Sequence, residues 1–288
     1  MGYYEFTLIV PDRSKEAVLN KMSEMGCLGV TERKNDVTAF FRDGQDVSKL
    51  RDELNSFRKV LRECDLDDGF SFDYHYLSER DWNESWKKKF VPIDVGNNLS
   101  ILPPWEKSDD RRIALIIDPG MAFGTGHHET TKTCLTLIER FAESGTRKGK
   151  FLDVGAGTGI LSIAASRLGF QEAIGVDIDP LAVDAASRNV QLNGLVNILI
   201  KPGTISEVEG RFDMIAANLM SDVLIAIAPE IAPRLDDKGT VILSGILVGQ
   251  EDGVIEAMEG SGLSVTEKLI DGRWVSLVAR HKGEPTAA

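Results

Sequence analysis

The spacing of apolar positions changes repeatedly over residues 1–77. Tyr4–Val10 is rich in β-forming residues, and Ser14–Met25 then places Val18, Leu19, Met22 and Met25 at helical spacing. Gly26 and Gly29 close that helix and open a second β stretch, Val30–Arg33. Asn35-Asp36 predicts a hairpin turn before Val37–Phe41. A second helix is predicted over Val47–Glu63, with Leu50, Leu54, Phe57, Val60 and Leu61 on one face. Phe70–Leu77 alternates aromatic and polar residues, as a half-buried strand does. The order β-α-β-β-α-β predicts a small α+β sandwich of ferredoxin-like type.

The pattern breaks over residues 78–98. Trp82, Trp86 and the run Lys87-Lys88-Lys89 lie in a stretch without long apolar periodicity, which reads as a connector with a short helix. The tryptophans suit packing onto a neighbouring domain, and the lysines suit a solvated face. From Leu99 onward short apolar runs recur at Phe151–Val154, Ala173–Val176, Val196–Ile200, Met214–Ala217 and Val241–Leu243, several of them separated by helical patterns. Such alternation indicates a parallel sheet covered on both faces. Leu263–Leu269, a turn at Asp271-Gly272, and Trp274–Ala279 predict a closing antiparallel hairpin. The expected fold class is therefore α/β, Rossmann-like and mostly parallel, behind a smaller α+β domain. The expected divisions are 1–77, a linker at 78–98, and 99–288.

Length and composition agree with this organisation. The chain has 288 residues, enough for about two domains. Its 27% charged residues sum to a net charge of -12, which repels nucleic acid and suits a basic partner. Cys27, Cys64 and Cys134 are widely spaced and make neither a disulfide framework nor a zinc pattern. There is no basic-then-apolar leader and no apolar run long enough to span a membrane, so the cytoplasm is the expected compartment.

The strongest chemical feature is Phe151-Leu152-Asp153-Val154-Gly155-Ala156-Gly157-Thr158-Gly159, a strand passing through a glycine turn into a helix. Glycines there allow positive φ and close approach of backbone to a ligand. Asp177, at the end of the next strand, is placed to accept hydrogen bonds from both hydroxyls of a ribose. A dinucleotide fingerprint puts its third glycine where this chain has Ile160. The run here is instead GxGxG, preceded by Asp153, whose carboxylate repels a pyrophosphate but holds an ammonium, directly or through water. Those details favour S-adenosylmethionine over NAD.

A second glycine-rich segment, Asp118–Thr131, precedes a helix and has the composition of a loop shaped around a ligand. Thr130 or Thr131 could cap that helix with a side-chain oxygen, but ligand contact is the favoured reading of the segment. His127 and His128 lack a third ligand at metal-binding spacing, so no metal site is expected. A third constellation, Phe212–Met220, ends an apolar strand at Asn218, on the sheet edge where α/β proteins bind ligands. Leu219-Met220 stands where methyltransferases acting on adenine or glutamine amides carry Pro-Pro and an aromatic, which disfavours flat substrates.

Together these segments resemble the PrmA family, whose members methylate ribosomal protein eleven of the large subunit. The resemblance rests on Asp81-Trp82, Trp86, Phe90 and Pro92, on Asp118–Gly126 above all, and on Asp153–Gly159 and Asp177–Pro180. Ala217-Asn218-Leu219 and Ser244–Leu247 complete it. It implies an N-terminal unit that recognises the ribosomal protein, a hinge-like connector, and cofactor contacts at Thr131, Gly155, Asp177 and Asn218. The run His127-His128-Glu129 departs from the family's usual wording, which leaves the acceptor side less defined. With Asp153, Gly157 and Gly159 these residues form the expected cofactor set. Asn218 is the expected orienting residue, with Phe123 and Thr125 on the loop that closes over the methyl group. The reaction expected is methyl transfer to amines of the ribosomal protein, lysine side chains and the α-amino group. Two other readings stand beside it: a lysine methyltransferase acting on a different protein, and a non-catalytic cofactor-binding module that docks on ribosomes.

Overall fold

The computed structural model describes residues 3–32, 36–64, 66, 69–77, 90–108, 111–118, 124, 126, 128–145 and 147–283. Two compact units divide between Phe90 and Val91.

In the first unit, β1 (Tyr3–Ile9), α1 (Lys15–Glu24), β2 (Gly29–Glu32), β3 (Asp36–Arg42), α2 (Val47–Glu63) and β4 (Ser71–Leu77) follow one another. The sheet has the order β2-β3-β1-β4 and every pairing is antiparallel, a ferredoxin-like arrangement. Only one sheet face is buried, so alternate residues point inward: Phe6 and Leu8 on β1, and Val37, Ala39 and Phe41 on β3. Val18, Met22, Leu50 and Leu54 of the helices complete that core. Asp46 starts α2 by accepting hydrogen bonds from the Ser48 and Lys49 amides. Val60, read from the sequence on the buried face of α2, is exposed.

The second unit opens with a three-stranded sheet that the sequence did not delineate: β5 (Ile93–Val95), β6 (Leu99–Leu102) and β7 (Ile113–Ile116). Residues 91–98, read as the end of the connector, thus fold with this unit. Buried Glu139 fixes the β5–β6 turn by accepting from the Asn97 and Asn98 amides at 2.7 and 2.6 Å. There follow α3 (Glu129–Glu143), β8 (Lys150–Val154), α4 (Ile160–Arg167), β9 (Glu172–Asp177), α5 (Pro180–Leu192) and β10 (Ile198–Pro202). The chain continues with β11 (Phe212–Asn218), α6 (Ser221–Ile231), β12 (Leu235–Leu247), α7 (Glu251–Gly260), β13 (Leu263–Asp271) and β14 (Trp274–His281).

Seven of these strands form one sheet in the order β10-β9-β8-β11-β12-β14-β13. The first five are mutually parallel, and β14 runs against both of its neighbours. Both faces are covered, so consecutive residues of a central strand enter different cores. Phe151, Met214 and Ala216 join one core with α3 and α4, while Leu152, Ile215 and Ala217 join the other with α6 and α7. Burying a side chain such as Phe151 or Leu152 contributes about 1.5–3 kcal/mol. At one edge, β10 begins at Ile198, and Val196, expected in the strand, is 98% exposed. Asn197 sets that start: its backbone oxygen accepts from Ala173, and its side chain bonds Ser166 and Phe170.

Candidate functional site

The glycine turn is built by backbone as much as by side chains. The amides of Gly155 and Ala156 both donate to the Val176 carbonyl, at 2.9 and 3.0 Å, drawing the end of β8 against β9. Gly155 has φ +75°, which any other side chain adopts only with strain, and a Cβ there would also push on a Leu219 methyl 2.4 Å away. The turn then delivers Gly157 N to Asp177 Oδ2 at 2.9 Å. Asp177 Oδ1 accepts from Asp179 N at 3.0 Å. Among the described residues each carboxylate oxygen therefore keeps an unused acceptor direction.

Asp153, one strand over, is fully buried. Its Oδ2 accepts from both the amide and the hydroxyl of Ser162, at 3.0 and 2.9 Å. Its Oδ1 receives no hydrogen bond among the described residues. Burial pushes its pKa from 3.8 to about 7; the two Ser162 bonds pull downward and the Asp177 charge adds a smaller upward push.

On the facing side, His128 begins α3, its ring nitrogen Nδ1 accepting from the Thr130 amide at 3.3 Å. Thr130 and Thr131 do not cap the helix and lie buried in its first turn. A ring nitrogen on the preceding residue reaches the orphan amide, which frees Thr131 Oγ1 to meet Asn218 Nδ2 at 3.4 Å. The His128 ring stands edge-on to Trp274 of β14, with centroids 4.8 Å apart.

These elements enclose a cavity of about 510 Å³ at the carboxyl ends of the parallel strands, a volume suited to a nucleoside-sized ligand. Gly155, Gly157, Asp177 and Asn218 line it, four of the expected residues. Thr131 supports it from behind through Asn218, and Asp153 lies beneath the turn. Gly159 does not line it either; its φ of +77° starts α4 and lets the turn pack against Ala186 of α5. Phe123, Thr125 and His127, with the Asp81–Trp86 motif, lie outside the described residues. The cavity also draws on residues that sequence reasoning missed: Thr204 and Ile205 after β10, Val223 and Ile227 of α6, and Trp274. The Gly203-Thr204 turn at a strand's carboxyl end was the one available signal, since apolar residues of α6 read as ordinary core. A second cavity, of about 450 Å³, shares His128 and Trp274 with the first and adds Glu129, Asp271 and Arg273.

The family model described as ribosomal protein L11 methyltransferase (PrmA) matches residues 2–282. The chain belongs to that family. Among curated members, the ribosomal protein L11 methyltransferase of Pelotomaculum thermopropionicum is 41% identical over 210 residues, covering 72% of this chain and 67% of the relative. That of Clostridium botulinum (strain Eklund 17B / Type B) is 35% identical over 262 residues, covering 88% and 83%. A crystal structure of the ribosomal protein L11 methylase from Lactobacillus delbrueckii subsp. bulgaricus aligns with a TM-score of 0.62 at 32% identity. It covers 67% of this chain and 100% of that one. As a PrmA family member the chain is a methyltransferase whose cofactor is S-adenosylmethionine. The residues fit that group: the turn holds Gly155 at φ +75°, where a Cβ would press on Leu219, and among the described residues a buried Asp153 carboxylate oxygen has no donor. Among the described residues no helix is long and apolar enough to cross a membrane.

Proposed function

We propose that the protein moves methyl groups from S-adenosylmethionine to amines of ribosomal protein L11, both lysine side chains and the α-amino group, in the cytoplasm. The observation that carries this reading is the amide of Asn218 at the cavity wall. Its nitrogen is directed to Thr131 Oγ1, which leaves the carbonyl oxygen as the acceptor that an attacking amine's N–H requires. When bound, S-adenosylmethionine supplies a sulfonium-activated methyl group. Asp177 would take the ribose hydroxyls on its unused acceptor directions, Gly155 and Gly157 would bring backbone close to the cofactor, and Asp153 would answer its ammonium from beneath.

The acceptor must arrive as a free amine, because a protonated lysine, with a reference pKa of ~10.4, has no lone pair to attack with. An apolar wall of Leu219, Ile178 and Trp274 disfavours the charged form and excludes water. Orientation by Asn218 then does what a strong base is not needed for. The second cavity, with Glu129 and Asp271 beside Trp274, is the side from which the amine comes. Residues 1–77 recognise the ribosomal protein, and residues 78–89 link that unit to the catalytic one.

The test is methylation of unmodified L11 with labelled cofactor, the sites being located by mass spectrometry. Asn218→Ala is expected to lower turnover by roughly 10²-fold while L11 still binds. Full turnover by that variant with undiminished cofactor affinity would remove Asn218 from the reaction. Label on another protein, or cofactor binding without any transfer, would replace the reading itself.

A further inference from the structure

The two glycine-rich segments are joined by a chain of hydrogen bonds that runs through α5. Strand β7 is an edge strand of its small sheet, and its outer edge is met by side chains where another strand would otherwise pair. Asn193 accepts from the Ile116 amide at 3.0 Å and donates to the Ile116 carbonyl at 2.7 Å. Asn189, one helical turn earlier, accepts from the Asp118 amide at 2.9 Å. The geometry explains the match. Four helical residues advance ~6 Å and two strand residues ~6.6 Å, so amides at i and i+4 of a helix reach alternate groups of a strand.

Asn189 also turns inward. Its Nδ2 donates to the Thr158 carbonyl at 2.9 Å, inside the glycine turn. The Thr158 hydroxyl in turn donates to the Gly124 carbonyl at 2.6 Å, within the upstream segment. Asn189 and Thr158 are each only 1% exposed, and neither lines the cavity.

We propose that Asn189 and Thr158 are positioning residues that hold Asp118 and Gly124 in register with the cofactor turn, so that cofactor binding is felt at those two residues. The part of this concerning turnover rests on the reading of their segment as the acceptor side. Removing the Thr158 hydroxyl frees the Gly124 carbonyl without touching a cavity-lining atom. Turnover then falls because a displacement of about 1 Å between reacting groups costs up to ~10²-fold.

The experiment compares Thr158→Val with Thr158→Ser. Thr158→Val is expected to lower kcat about 10-fold or more with cofactor Kd changed less than about 2-fold, and Thr158→Ser to restore kcat. Loss of cofactor affinity in step with kcat, unchanged kcat, or failure of serine to rescue would each overturn the proposal. Hydrogen exchange at the Asp118 amide supplies a readout independent of the acceptor. Cofactor is expected to slow that exchange in the wild type and to leave it unaltered in Asn189→Asp, which keeps the acceptor for the Asp118 amide and loses the donor to the Thr158 carbonyl. An Asp118 amide indifferent to cofactor in the wild type overturns the coupling. Absence of wild-type methylation of L11, with the exchange response intact, overturns the proposed acceptor instead.

Discussion

Strands β8 and β9 lie side by side, and each carries an aspartate close to the glycine turn, yet the two carboxylates have opposite surroundings. Asp177 ends its strand, lines the cavity and divides its oxygens between two backbone amides. Asp153 lies one residue inside its strand end and is sealed from solvent, with one oxygen satisfied twice and the other, among the described residues, not at all. A carboxylate at a strand terminus keeps water and ligand within reach, whereas one step inward it must be satisfied by neighbouring side chains. The first is suited to recognising hydroxyl groups. The second is a buried acid with a pKa of about 7, poised to be ionised by a nearby cation.

The contrast can be broken most directly at Asp177. Asp177→Ala is expected to weaken cofactor binding by about 1.5–3 kcal/mol, roughly a 10- to 150-fold rise in Kd by calorimetry. An unchanged Kd would mean that the terminal carboxylate does not touch the ligand.

Asp153→Asn tests the buried partner through pH. Asp153 titrates at about 7 when folded and from 3.8 as its ordinary value, so the native protein binds the extra proton between those limits. Its stabilising contribution is complete below 3.8, is lost as pH rises through the folded value of about 7, and does not change above that. Asparagine has no such titration. The urea midpoint of the wild type relative to Asp153→Asn should therefore fall between about pH 4 and about pH 8. A constant difference would show that the carboxyl is not held protonated. Cofactor affinity of the wild type should rise over the same range, since the ammonium requires the ionised form, while that of the variant stays flat.

Ser162→Ala is the finest probe. It removes the hydroxyl that stabilises the Asp153 anion and keeps the amide bond, costing about 1 kcal/mol of stability. It should move the pH midpoint of cofactor binding upward with little effect on affinity above it. A downward movement would contradict the hydrogen-bond assignment.

Much of this architecture was legible in the residues. Glycine spacing and a preceding acid marked the turn because few sequences need positive φ at alternate positions beside a strand end. The apolar runs of β8 and β11 announced strands covered on both faces. Less was readable where a contact joins distant segments. Thr204, Ile205 and Trp274 reach the cavity only because β10 ends beside β9 and β14 begins beside the end of β12. Nothing near them in the chain reports that neighbourhood. His128, not a threonine, caps its helix because its ring nitrogen reaches the Thr130 amide in the first turn.

The amino-acid order alone determined the two fold types, the glycine turn and the acids beside it, since local propensity and apolar periodicity act over a few residues. Only the folded chain decided that Asp153 is sealed while Asp177 lines the cavity, and that Asn189 reaches Asp118 and Thr158 at once. Those outcomes depend on strand register and helix placement, which are fixed by packing between residues far apart in the chain.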